Sequence, residues 1–114
     1  MNFVIKVAPD FLIEAKRLKK RHRSFIEDLE SFKQSLLDNP LQGVELCPGI
    51  RKIRMAITSK GRGKSGGVRV ITANAIITQE KGCIGLLYVY DKADASNIRI
   101  DVMKQIARDL GFDV

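Results

Sequence analysis

From Asn2 to Val7 apolar and polar residues alternate, with Phe3, Ile5 and Val7 on one side, and this period of two predicts a strand. Pro9-Asp10 interrupts it and opens a helix in which Phe11, Ala15 and Leu18 recur at helical spacing to about Arg21. Ser24-Phe25-Ile26-Glu27 has the Ser-x-x-Glu form of a capping box, in which two side chains satisfy free amides at a helix start. Behind it Phe25, Ile26, Leu29, Phe32, Leu36 and Leu37 form an apolar stripe that Asp38-Asn39-Pro40 ends. Two antiparallel helices joined by a tight basic turn are expected.

Leu41 to Gly49 reads as irregular, broken by Gly43, Pro48 and Gly49. Alternation returns at Ile50 to Ile57, where Ile53, Met55 and Ile57 share one face and Lys52 and Arg54 the other. A polar segment, Thr58 to Gly66, leads into a β-rich run from Gly67 to Thr78, and Gln79-Glu80-Lys81-Gly82 closes a hairpin. Cys83 to Tyr90 is apolar on both faces, the mark of a strand inside a sheet. Ser96 is placed to cap a last helix that carries Ile98, Val102, Ile106 and Leu110, with Gly111 as its left-handed C-terminal cap. The order β-α-α-β-β-β-α predicts an α+β fold over residues 1–114, a small antiparallel sheet packed against helices.

Composition narrows the class without changing this picture. At 114 residues and 45% hydrophobic, the chain suits one globular domain. No apolar run reaches the roughly 18 residues of a membrane span. The N-terminus lacks the pattern of a signal peptide, so a cytoplasmic protein with two buried, reduced thiols, Cys47 and Cys83, is expected. His22 is the only histidine, which argues against a histidine-based metal site or a Ser-His-Asp triad. Neither metal nor cofactor is expected.

Charge changes the picture more. Residues 1–69 carry 15 basic and 7 acidic side chains, whereas residues 70–114 carry 5 and 6. So lopsided a field suits a polyanion, because neutralising phosphates releases condensed counterions. Between Leu46 and Gln79 stand Arg51, Lys52, Arg54, Lys60, Arg62, Lys64 and Arg69 with no acidic residue. Lys52, Arg54 and Arg69 on neighbouring strands would bind a phosphodiester and stabilise charge that develops as a 2′-hydroxyl attacks it. Lysine or tyrosine can serve as acid or base there, so a missing histidine does not forbid the reaction.

Three other segments bear on the same chemistry. Gly61-Arg62-Gly63-Lys64-Ser65 is not a phosphate-binding P-loop, because Thr58 stands where the first glycine belongs and a strand follows instead of a helix. It reads either as an ordinary basic hairpin loop or as one that closes over an RNA backbone through Lys60, Arg62 and Lys64. The run Lys16 to Arg23, with Lys16, Lys19, Lys20 and Arg23, either balances a helix C-terminus or grips nucleic acid, with His22 as a passenger. In Tyr88-Val89-Tyr90-Asp91-Lys92, Tyr90 and Lys92 either finish a core strand or stack a base and move a proton.

Ile50-Arg51-Lys52-Ile53-Arg54, the segment from Ser59 through Gly67-Val68-Arg69-Val70-Ile71, and Leu86-Leu87-Tyr88-Val89-Tyr90-Asp91-Lys92 together resemble the RelE/ParE superfamily. The resemblance is strongest to HigB-like toxins of type II toxin–antitoxin modules. It implies a toxin neutralised by a cognate antitoxin, which cleaves mRNA on the ribosome without a metal, by 2′-hydroxyl attack on the adjacent phosphate. It assigns Lys52, Arg54 and Arg69 to the scissile phosphate, and Lys64 and Lys92 to the loop signature and the last strand's end. The tyrosine that some members carry early in the last helix is Arg99 here, and a basic position before it is Ala95. Tyr90, Lys64 and Lys92 are the candidates to move protons. The same superfamily includes ParE-like inhibitors of DNA gyrase, which do no RNA chemistry and supply the alternative reading.

Overall fold

Strand β1 (Asn2–Val7) passes through the buried Ala8 into helix α1 (Pro9–Arg21). Pro9 suits that start, since its fixed φ is already helical and a first-turn N–H would have no helical partner. The structure, a computed structural model, describes residues 2–61, 63, 66–78, 81–94 and 98–114. Helix α1 buries Phe11, Ala15 and Leu18, as their spacing predicts. Helix α2 (Phe25–Asp38) buries Phe25, Leu29, Phe32 and Leu36, but Ile26 stays exposed and Leu37 is half-buried, so the stripe is narrower than read.

The expected capping box does not form. Ser24 makes no side-chain capping hydrogen bond. Its hydroxyl donates to Asp28 at 2.7 Å and accepts the Ser59 N–H at 2.9 Å, so a tertiary contact takes the group that a local cap would use.

Two further corrections concern the sheet. The segment read as irregular contains a strand, β2 (Val44–Cys47), which pairs antiparallel with the start of β3 (Ile50–Met55). It is short, on the edge, and shifted in register between Glu45 and Cys47, so it shows no alternation to read. The sheet is also mixed, with order β1-β5-β4-β3-β2, where β4 is Val68–Thr78 and β5 is Lys81–Asp91. β1 runs parallel to β5 from Asn2↔Lys81 to Val7↔Leu86, and the other pairs are antiparallel. Periodicity shows that a strand exists, but it does not choose the strand's partner or sense.

β5 lies between β1 and β4, as its apolar run predicts. Ile71 faces Tyr88 but Thr72 faces Leu86, so Leu87 is an extra residue that shifts the phase of the strand. Ile84, Leu86 and Val89 therefore join the core under α1 and α2, whereas Leu87 and Tyr90 join the core on the opposite face. The first core also takes Ile53, Met55, Val68 and Val70; the second takes Ile50, Ile71 and Ala73 against Met103, Ile106 and Ala107 of helix α3 (Ile100–Asp109). Gly111 adopts φ +101°, the predicted left-handed cap, while Phe112 N–H returns to Ala107 O at 2.9 Å. The helix starts later than expected, at Ile100 with Arg99 as its N-cap, so Ile98 lies before it, and the predicted cap at Ser96 lies outside the described residues.

Cys47 and Cys83 are free thiols but only half-buried, because each stands at the margin of the second core. Among the described residues no helix is long and apolar enough to cross a membrane.

Candidate functional site

Strand alternation and register place the predicted cations. Ile53 and Met55 point into the first core, so Lys52 and Arg54 belong to the opposite face. On β4, Val68 and Val70 point inward and Arg69 shares that opposite face, as does Tyr90 on β5. The register then aligns Arg54↔Arg69 and Arg69↔Tyr90 in one row across three strands. The next row is Lys52↔Ile71 and Ile71↔Tyr88. Neighbouring strands lie about 4.8 Å apart, so the first row brings two guanidinium side chains and a phenol within reach of one small anion.

The members of this row differ in exposure. Arg54 is exposed and Lys52 half-buried, whereas Arg69 and Tyr90 each keep only 8% of their surface. Burial pushes the Tyr90 hydroxyl above its ordinary pKa, and the Arg69 cation pulls it partly back. Tyr90 therefore holds its proton more tightly than a free phenol. Tyr88 stands beside it with ring centroids 6.1 Å apart and rings tilted by 34°, which gives the row an aromatic border.

The other predicted residues are dispersed. Lys16, Lys19, Lys20 and Arg23 are exposed on and just beyond α1, which packs on the other face of the sheet. Lys92 is exposed just past β5, and its N–H reaches Gly67 O at 3.4 Å. Arg62 and Lys64 lie outside the described residues. Arg99 is exposed and paired with Asp101 at 2.7 Å.

Lys60 is held from below by a group that sequence reasoning missed. Asp91, next to Tyr90 and on the opposite face, is 3% exposed. Its Oδ1 is 3.2 Å from Lys60 Nζ and accepts the Ala93 N–H at 3.0 Å; its Oδ2 lies 2.9 Å from His22 Nε2 and 3.5 Å from an Arg21 nitrogen. Burial alone would raise the Asp91 pKa, but the hydrogen bonds from Ala93, His22 and Lys60 outweigh it and hold the carboxyl at about 2. His22 is therefore no passenger in a basic run. It is buried, and it joins the end of α1 to the end of β5. An acidic residue that closes an apolar strand carried the signal, because a buried carboxylate must find partners.

Two open clefts flank the row. One of about 340 Å³ runs between α2 and the free edge of β3, lined by Ser31, Phe32, Gln42, Arg54 and Thr58 among others. The second, about 220 Å³, lies between α1 and the part of β5 beyond its pairing with β1, where Glu14, Arg17 and Arg21 meet Tyr88 and Tyr90. Among the described residues no group of three His, Cys, Asp or Glu side chains is placed to hold a metal ion. No known protein-family model matches this chain.

Proposed function

We propose that this protein is the toxin of a type II toxin–antitoxin module, a RelE-like, metal-independent endoribonuclease that cuts mRNA on the ribosome. The observation that carries this reading is the Arg54–Arg69–Tyr90 row, with Lys52 beside it on the same sheet face. Two guanidiniums suit a phosphodiester because each offers a planar fork of donors, and they neutralise charge as the phosphorus becomes five-coordinate. The 2′-oxygen bonds to phosphorus, the bond to the 5′-oxygen breaks, and the products are a 2′,3′-cyclic phosphate and a free 5′-hydroxyl. Tyr90 is suited to give the departing 5′-oxygen its proton, because a phenol is protonated at neutral pH and is a far stronger acid than the alcohol it would form. Lys64 and Lys92 are the candidates to accept the proton of the 2′-hydroxyl.

In this reading the exposed cations of Lys16, Lys19, Lys20 and Arg23 meet ribosomal RNA. A cognate antitoxin would neutralise the protein in the cytoplasm. The resemblance of the Ile50–Arg54 and Gly67–Ile71 segments to HigB-like toxins supports the same conclusion.

The test adds purified protein to a reconstituted translation reaction, with and without ribosomes, and maps mRNA 5′ ends by primer extension. Cuts that require ribosomes and fall at A-site positions are expected. Intact mRNA in both reactions would overturn the reading, and inhibition of gyrase supercoiling by the same preparation would then favour the ParE-like alternative.

A further inference from the structure

The β3–β4 connection leaves the sheet after Met55 and returns at Val68, directly before Arg69. Its outgoing end, the tight helical turn Thr58–Lys60, is fastened at three successive residues. Asp28 accepts the Thr58 N–H at 2.8 Å and its hydroxyl at 2.6 Å, Ser24 accepts the Ser59 N–H, and Asp91 takes the Lys60 ammonium. The returning end is held at Gly67, whose carbonyl accepts the Lys92 N–H. Gly67 also passes so close to β3 that a Cβ there would lie 2.0 Å from Met55 O, so only glycine fits. The dipeptide Asp91-Lys92 thus holds both ends of the connection, one through a side chain and the other through its backbone.

Asp91 is also the residue after Tyr90 and pairs with Val68. Successive strand residues point to opposite faces, so a carboxylate locked beneath the sheet fixes how the phenol and Arg69 stand above it. We infer that Asp91 is a positioning residue for the proposed reaction, and that Lys60 serves as its partner rather than as a contact to RNA. Through Lys60, His22 and the Val68 pairing, Asp91 holds the Arg69–Tyr90 end of the row in register. This inference rests on the nuclease reading for its consequence, though not for its geometry.

The test compares Asp91→Asn and Lys60→Met with the wild type in two measurements. Amide hydrogen exchange should accelerate at Thr58–Lys60 and at Lys92 in both variants, while the β4–β5 centre stays protected. In the ribosome-programmed cleavage assay kcat should fall roughly tenfold or more through loss of alignment, with KM within about twofold of wild type. A Lys60→Met protein with raised KM, shallower salt dependence and unchanged kcat would show Lys60 to be an RNA contact and overturn the inference. Unaltered exchange and unaltered kcat in folded Asp91→Asn would overturn it as well. If Asp91→Asn does not fold, Lys60→Met decides alone. If the wild type cuts no RNA, the nuclease reading fails by itself, and unchanged exchange in the variants would separately overturn the fastening.

Discussion

Two groups of cations sit on opposite faces at the same end of one sheet, and they follow opposite rules. On the α3 face, Arg54 stands opposite Arg69, and Arg69 in turn stands opposite Tyr90. On the α1–α2 face, the Lys60 and Arg21 cations and the His22 ring converge on the buried carboxylate of Asp91. The second group gathers on one buried carboxylate and joins three chain segments, with Arg21 pairing with the exposed Asp94 as well. The first sets Arg54 and Arg69 side by side, Arg54 exposed and Arg69 buried, its guanidinium donating to Val68 O at 3.3 Å. On the proposed reading, the difference separates cations that build the fold from cations that serve a partner. Net charge alone does not make that distinction.

The comparison is broken most directly by substitutions within the row. Arg69→Ala and Arg54→Ala should each reduce ribosome-dependent cleavage by about 10²–10³, the usual loss when one donor to a developing charge is removed. Because Arg54 is exposed, its loss should move the free energy of unfolding by less than about 0.5 kcal/mol, as read in a urea titration. The buried group should behave in the reverse sense. Asp91→Ala leaves Lys60 without its counter-charge and the buried His22 ring without its hydrogen-bond partner, and should lower stability by about 3 kcal/mol, measured in the same titration.

Acid should separate the two groups by a smaller amount. The Asp91 carboxyl is held at about 2 in the folded protein, below its unfolded value, so its contribution is complete above the unfolded pKa and disappears as pH falls through the folded one. On the order of 2 kcal/mol should therefore be lost between about pH 5 and pH 2. Asp91→Asn should flatten that limb of the stability curve, and Arg54→Ala should leave it in place. The smallest effects belong to α1: Lys20→Ala and Arg23→Ala should each reduce the slope of log affinity for ribosomal RNA against log salt by about 1, as filter binding would show.

The elements that were legible in the sequence are those whose burial follows a simple period. Phe11, Ala15 and Leu18 mark α1, and the alternation around Ile53 and Met55 marks β3 together with the outward side of Lys52 and Arg54. Gly111 marks a cap through its required left-handed φ. What the sequence did not show was set by long-range pairing. The parallel union of β1 with β5, the edge strand β2 and the extra residue at Leu87 depend on partners distant in the chain. Asp91 and His22 are 69 positions apart, so neither announces the other. The same distance explains Ser24, whose Ser-x-x-Glu pattern is a local rule overridden by Asp28 and Ser59.

On the proposed reading the Arg54–Arg69–Tyr90 row, and not the cation-rich surface in general, carries the chemistry. The most direct measurement compares wild type, Arg54→Ala and Lys16→Ala in ribosome-programmed cleavage, reading mRNA 5′ ends at matched protein concentration after each variant is confirmed folded. A-site cuts are expected for wild type, a fall of about 10² or more for Arg54→Ala, and only a salt-dependent weakening for Lys16→Ala. Wild-type cleavage by folded Arg54→Ala would contradict that reading.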